Sequence, residues 1–137
     1  MPVIADTGPL YALIDSSDAW HERVTAWWRD RTQNVVVPAV VLPGVSYLLQ
    51  TRIGPAAELA FIQAVADGEF TIEALEPEDI VRAAVLLRDY ADLPLGFADA
   101  AVVAAAERLG AREILTTDRR HFSVIQPLHT NALVLLP

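Results

Sequence analysis

Short apolar runs that end at turn-forming residues recur along the chain and predict buried β-strands. The run Val3-Ile4-Ala5 ends at Asp-Thr-Gly-Pro, and three valines at 35–37 are followed by Pro38. At 70–75 apolar and polar residues alternate, which is typical of a half-buried strand. The predicted strands cover residues 3–5, 35–37, 70–75, 113–116 and 132–136.

Segments with apolar residues at helical spacing separate these runs and predict helices. The Ser-Ser-Asp sequence at 16–18 offers an N-cap to a helix that places Trp20, Val24, Trp27 and Trp28 on one face. We expect these tryptophans to pack in the core, or in an apolar groove for a partner's helix, rather than to stack on bases. The predicted helices cover residues 10–14, 19–31, 39–52, 56–66, 76–90 and 97–109.

Strands that alternate with helices over short loops predict one α/β domain over residues 1–137, with a central parallel sheet flanked by α-helices. The composition agrees, since 53% hydrophobic and 20% charged residues are typical of a globular chain. No apolar run approaches the roughly 18 residues that a bilayer requires, and no basic-then-apolar leader opens the chain. We therefore expect a soluble, cytoplasmic protein without a membrane partner.

Charge and residue usage exclude several classes of chemistry. The net charge of −8 argues against a surface that binds nucleic acid by general basicity. Cysteine is absent, which excludes disulfides, thiolate nucleophiles and cysteine-bound zinc. All ten basic residues are arginine, so phosphate-loop, Schiff-base and receiver-domain lysines are excluded as well. No glycine-rich fingerprint of a dinucleotide-binding fold follows the first strand.

Three aspartates are expected to meet at one edge of the predicted sheet. Asp6 follows the first strand, Asp118 follows the fourth, and Asp99 lies in the first turn of the helix that leads into the fourth. In a parallel sheet the carboxyl ends of the strands share one edge, and ligands bind in the crevice outside it. Each aspartate alone is equally explained as a turn former, a helix N-terminal charge or a cap. Together they would repel one another unless a cation compensates, and a hard divalent ion with oxygen ligands does so.

The residues around these aspartates resemble the motifs of PIN domains. Val3-Ile4-Ala5-Asp6-Thr7-Gly8 is similar to the opening motif, residues 93–100 to the third motif, and residues 114–122 to the fourth. Order, spacing and size match, and the resemblance covers nearly the whole chain. Chains of this length and motif style are mostly toxins of the VapC type.

The resemblance implies a single PIN-like domain that acts as a Mg²⁺- or Mn²⁺-dependent ribonuclease on RNA. Asp6, Asp99 and Asp118 would be its metal-binding carboxylates, and Thr116 the hydroxyl that supports the site. The resemblance also implies a VapB-like antitoxin as partner and a homodimer.

One position departs from the family pattern. The second motif has a glutamate on the helix after the second strand, and here that position is occupied by Gly44. Glycine inside a helix costs roughly 0.5–1 kcal/mol relative to alanine, so it needs a reason. A kink or a close helix contact beside Pro43 is one reason; the loss of an acid, which we favour, is the other. We expect lower metal affinity and activity, and the alternative is a catalytically inert PIN-fold partner of a VapB-like antitoxin.

The remaining polar candidates are weaker. Arg119, Arg120 and His121 follow Asp118 directly, and they either contact RNA phosphate at the rim or form a solvated turn. His21 and His129 are isolated, lack metal-ligand spacing, and are expected to have no role.

Overall fold

Five parallel strands form the central sheet of the computed structural model, which describes residues 1–137. Their spatial order is β3-β2-β1-β4-β5, so the first strand lies in the middle, between the second and the fourth. The predicted parallel α/β fold is confirmed. The strands are β1 (Val3–Ala5), β2 (Val35–Pro38), β3 (Thr71–Glu73), β4 (Glu113–Leu115) and β5 (Val134–Leu136).

Seven α-helices flank the sheet. The alanine-rich helix predicted for 97–109 has these bounds and ends at Gly110, which adopts the left-handed conformation of a C-cap. The helices are α1 (Thr7–Ile14), α2 (His21–Asp30), α3 (Leu42–Arg52), α4 (Pro55–Ala66), α5 (Pro77–Asp89), α6 (Phe97–Leu109) and α7 (Arg119–Phe122). None of them combines the length and apolar character needed to cross a membrane.

Three helix starts differ from the predictions by more than one residue. α1 begins at Thr7, three residues before the predicted start at Leu10, because Gly8 and Pro9 lie in its first turn, where proline needs no hydrogen-bond donor. The segment predicted as one helix over 39–52 begins with a 3₁₀ turn, Ala39–Val41, and α3 starts only at Leu42. Pro43 and Gly44 therefore lie in the first turn of α3, where proline needs no hydrogen-bond donor. The N-cap predicted at 16–18 is also wrong, because Asp18 Oδ1 accepts from Trp20 N within a turn and α2 begins after Trp20.

The core lies on both faces of the central strands. Every residue of β1 and β2 is buried, whereas the edge strand β3 is largely exposed. α6 buries seven consecutive small residues, Ala100 to Ala106, and packs against β1, β2 and α5. Small side chains let this helix approach the sheet closely. Because α6 leads into β4, it runs back along the sheet, and its first turn lies at the carboxyl edge.

The predicted packing role is confirmed for two of the three tryptophans. Trp27 and Trp28 are partly buried against the core, and Trp28 meets Phe70 edge-on at 5.4 Å between ring centroids. Trp20 is not part of this core; the guanidinium carbons of Arg23 and Arg119 lie 4.9 Å and 5.6 Å from its ring centroid.

An ion-pair cluster that sequence patterns did not reveal joins β3, α5 and α6. Arg108 contacts Glu73 at 2.7 Å and both carboxylate oxygens of Asp79 at 3.0 Å. Asp79 is only 2% exposed, so removal of the guanidinium would leave a buried charge without a partner. The cluster therefore holds α5 against α6 at the end of the edge strand β3.

Candidate active site

Asp6 is the buried centre of the carboxyl edge. Its amide donates to Leu115 O at 2.9 Å, which extends the pairing of β1 with β4 by one residue. The side chain is 5% exposed and accepts hydrogen bonds from the Thr7 amide and from Thr116 Oγ1. Burial, helped by the charges of Asp99 and Asp118, raises the pKa of Asp6 to about 6, although both hydrogen bonds oppose the rise. No positively charged group is among the neighbours that act on the pKa of this carboxylate.

Thr116 links the ends of two neighbouring strands. The residue is fully buried, and its hydroxyl donates to Asp6 Oδ2 at 3.0 Å while accepting from the Asp118 amide at 2.9 Å. With the donor and acceptor both used, the hydroxyl has one orientation. It therefore sets the position of the loop after β4 relative to Asp6.

Asp118 caps the short helix α7, which sequence reasoning had treated as a rim or a turn. Its Oδ1 accepts from the His121 amide at 3.2 Å, and its Oδ2 lies 2.6 Å from His121 Nδ1. His121 is 9% exposed, so it belongs to the interior of the site and not to its rim. A histidine three residues after a capping aspartate is the signal that could have shown this pairing.

Asp99 approaches from the start of α6. It occupies the first turn, and its Oδ2 accepts from the Gly96 amide at 3.0 Å. Burial raises the pKa of Asp99, as does the charge of Asp118, while the Gly96 amide and His121 lower it. The charges of Asp99 and Asp118 thus act on Asp6, and the charge of Asp118 acts on Asp99, although the three carboxylates do not form a compact group.

The donor set fits a hard cation only in part. The three aspartates and Thr116 offer oxygen ligands, as Mg²⁺ or Mn²⁺ prefers, and no positively charged group acts on buried Asp6. However, no three histidine, aspartate or glutamate side chains are arranged closely enough to hold a metal ion by themselves. Mg²⁺ usually retains several waters and uses one or two carboxylates plus substrate phosphate, so such an open arrangement is compatible with it.

Gly44 lies next to Thr7, the residue after Asp6, and is not required by the backbone. Its φ is not positive, and a Cβ built on it would meet only the Thr7 side chain, at 3.6 Å and 3.7 Å, which is ordinary contact. The close-contact explanation of this glycine is therefore wrong, and a longer side chain would start beside the residue that follows Asp6. Glu58 does not replace the missing acid, because it contacts Ser46, about 200° around α3 from Gly44.

The two arginines after Asp118 differ in the contacts that they make within the chain. Arg119 donates to the carbonyl of Pro137 and lies over the Trp20 ring, so part of its binding capacity is used within the chain. Arg120 is exposed on α7. The isolated histidines contact backbone carbonyls, His21 that of Ala12 and His129 that of Ala111, each at 2.6 Å.

An apolar cavity of about 260 Å³ lies away from the aspartates, between α1, α2 and α4. Eight of its nine lining residues are hydrophobic, among them Leu13, Trp28 and Phe61. Its one polar lining residue is Glu69, so it lacks the cluster of acids found at the carboxyl edge.

These features define a parallel α/β domain with a buried carboxylate centre at the carboxyl edge of its sheet. The family model described as PIN domain matches residues 3–126. Ribonuclease VapC26 of Mycobacterium tuberculosis (strain ATCC 25618 / H37Rv) is 35% identical over 135 residues, which are 98% of this chain and 100% of that protein. The chain belongs to the PIN domain family, and this relative places it with the VapC-type proteins.

Solved structures show the same fold. The crystal structure of VapC20 of Mycobacterium tuberculosis, a Sarcin-Ricin loop cleaving toxin, matches with a TM-score of 0.81 at 21% identity and covers 86% of this chain and 91% of that one. VapBC2 from Rickettsia felis, bound to a DNA fragment from their promoter, matches with a TM-score of 0.70 at 14% identity. The match covers 98% of this chain and 97% of that one. At these identities the likeness concerns the fold.

Proposed function

We propose that this chain is a VapC-type endoribonuclease dependent on Mg²⁺ or Mn²⁺, attenuated by the glycine at position 44. The observation that carries the proposal is the buried Asp6 carboxylate, which Thr116 ties to Asp118 and whose pKa is raised by burial and two neighbouring acids. A relative of nearly the same length, VapC26, is named a ribonuclease. Both point to a centre that needs a cation and to RNA as the substrate.

The chain's own groups have distinct roles in this proposal. Asp6, Asp99 and Asp118 would provide the oxygen ligands, and the Thr116 hydroxyl keeps Asp6 and Asp118 in register. A divalent ion bound there would polarise a phosphodiester and favour ionisation of an attacking water. Arg120 would contact a flanking RNA phosphate, and Arg119 would do so only by giving up part of its contacts within the chain.

The test is a cleavage assay with Mg²⁺ or Mn²⁺ on four proteins: the chain itself, Gly44→Glu, Gly44→Gln and Asp6→Asn. Glutamate at position 44 adds a carboxylate in a place where its Cβ has room, so cleavage should rise by at least about 10-fold, the lower end of what a metal-supporting group contributes. Glutamine has the same shape without the charge and should not raise it. Asp6→Asn should be inactive, and EDTA should stop all cleavage.

Equal activity of the unchanged chain and Gly44→Glu would contradict the attenuation. The three aspartates would then be sufficient for cleavage. Cleavage by Asp6→Asn would contradict the metal-dependent mechanism. Gly44 also favours a second function, a catalytically inert PIN-fold partner of an antitoxin. That function is supported if Gly44→Glu remains inactive although it binds Mn²⁺.

We further propose a VapB-like antitoxin as partner, and a homodimer as the assembly. One neighbour in fold is a toxin-antitoxin complex from Klebsiella pneumoniae, with a TM-score of 0.69 at 19% identity. In this chain the cavity between α1, α2 and α4 offers an apolar recess into which an antitoxin segment could insert one or two side chains.

A further inference from the structure

The imidazole of His121 is buried directly behind the Asp118 carboxylate. Its Nδ1 lies 2.6 Å from Asp118 Oδ2, while its Nε2 is buried without a hydrogen-bond partner. The N–H direction at Nδ1 is poorly aligned with the oxygen, so the contact is a close approach of a ring nitrogen to a carboxylate rather than a linear hydrogen bond. The ring is 9% exposed and has few ways to turn from this position.

The chemistry of the two groups favours one tautomer of the ring. An ionised carboxylate only accepts hydrogen bonds, so a hydrogen on Nδ1 attracts Oδ2 across the 2.6 Å separation, whereas a lone pair on Nδ1 would repel it. The amide of the same residue donates to the other oxygen, Asp118 Oδ1, at 3.2 Å. One residue therefore contacts both oxygens of Asp118, and each oxygen keeps a further lone pair.

Packing alone does not account for this histidine. A buried ring nitrogen without a partner lowers stability, so a phenylalanine would serve a purely apolar environment better. The capping of α7 does not need the ring either, because the cap uses the His121 amide. The contact with Asp118 is what remains to explain the imidazole.

We propose that His121 is a positioning residue, whose Nδ1–H holds the rotation of the Asp118 carboxylate so that its free lone pairs face Asp6 and Asp99. The proposal rests on the proposed function, since it assigns Asp118 as a ligand of the divalent cation. Outer partners of metal-binding groups typically contribute about 10–100-fold to metal affinity.

The experiment is a Mn²⁺ titration of the full chain, followed by the electron paramagnetic resonance signal of free Mn²⁺. The variants are His121→Asn, which can place an amide N–H near the position of Nδ1, His121→Phe, which keeps a ring without nitrogen, and Asp6→Asn. Each is also combined with Gly44→Glu, so that weak binding does not hide an effect. Thermal unfolding of every variant is measured alongside.

We expect His121→Phe to bind Mn²⁺ about 10–100-fold more weakly and His121→Asn to remain within about 3-fold of the parent, at similar thermal stability. Nitrogen NMR of the metal-free protein should show the Nδ1–H form of His121. An Nε2–H tautomer, unchanged affinity in His121→Phe, or equal losses in both His121 variants would overturn the proposal. Affinity in Asp6→Asn equal to that of the parent would instead overturn the metal centre, and this proposal with it.

Discussion

At the scale of single residues, the ionised Asp6 side chain lowers the folding stability of the chain. It is almost fully buried next to two other acids, and only the Thr7 amide and the Thr116 hydroxyl compensate its charge. A carboxylate with a pKa of about 6 in the fold and 3.8 in the unfolded chain is ionised at neutral pH at the expense of folding free energy. Such a group is expected where a ligand provides the missing charge.

The first prediction concerns Asp6→Asn in EDTA. Between pH 3.8 and about 6 the folded chain retains the Asp6 proton that the unfolded chain releases, so the stability contributed by this group falls as pH rises through that window. Asparagine has no such dependence. Urea unfolding at pH 7.5 should therefore find Asp6→Asn more stable by about 1–3 kcal/mol, with the difference much reduced at pH 4.5.

Exposed Asp67→Asn is the matched control and should leave the stability at both pH values nearly unchanged. A variant Asp6→Asn that is less stable than the parent at pH 7.5 would contradict the prediction. Saturating Mn²⁺ should reverse the order, because only the parent gains stability from the ion.

At the scale of elements, two glycines near helix starts differ in the space that surrounds them. Gly8, the second residue of α1, has no room for a side chain, since a Cβ there would lie 2.1 Å from Thr117 Oγ1. Gly44, in the first turn of α3, has room on the side that faces Thr7. The sequence alone does not separate them, because the difference lies in what another element places opposite each Cα.

The second prediction compares the two alanine substitutions. Gly8→Ala should destabilise the chain by about 1–3 kcal/mol through overpacking. Gly44→Ala should stabilise it by up to about 1 kcal/mol through helix propensity. Urea denaturation of both variants measures whether each substitution raises or lowers the free energy of unfolding. Adding Thr117→Ala should relieve most of the penalty of Gly8→Ala. Stabilisation by Gly8→Ala, or a penalty in Gly44→Ala, would contradict the contacts described.

At the scale of the whole molecule, the order of the sheet separates two surfaces. The carboxylate centre lies where β1 and β4 end side by side, and the apolar cavity lies between α1, α2 and α4. α1 connects them, since it begins directly after Asp6 and contributes Leu10, Leu13 and Ile14 to the cavity. A partner seated in the cavity would therefore contact the helix that starts at the centre.

The third prediction tests the proposed partner surface. Ala60 is exposed and lines the cavity, so Ala60→Glu should weaken capture of the co-expressed antitoxin by about 10-fold or more, because a charge would be buried without a partner. Gln63→Glu adds the same charge to exposed α4 outside the cavity and should leave binding unchanged. Equal binding by both variants would contradict this location.

Most of the architecture could be predicted from the chain. Apolar runs and helical spacing located all five strands and six of the seven helices, with errors at the starts of α1, α2 and α3. Those errors arose where local turns and hydrogen bonds determine the first residue of a helix, as with the Asp18 side chain and the 3₁₀ turn before Leu42. Short α7 lacks the length for a periodic signal, and its cap depends on the contact between Asp118 and His121.

For the site, connectivity sufficed to bring Asp6, Asp99 and Asp118 to one edge, because parallel strands share the edge at which they end. Only the tertiary structure decided which atoms meet. The Thr116 hydroxyl and Asp6 are 110 residues apart along the chain, and the burial that raises the pKa of Asp6 comes from elements of the whole domain. The room beside Gly44, its lack beside Gly8 and the buried position of His121 are likewise products of packing between distant segments, which local sequence does not encode.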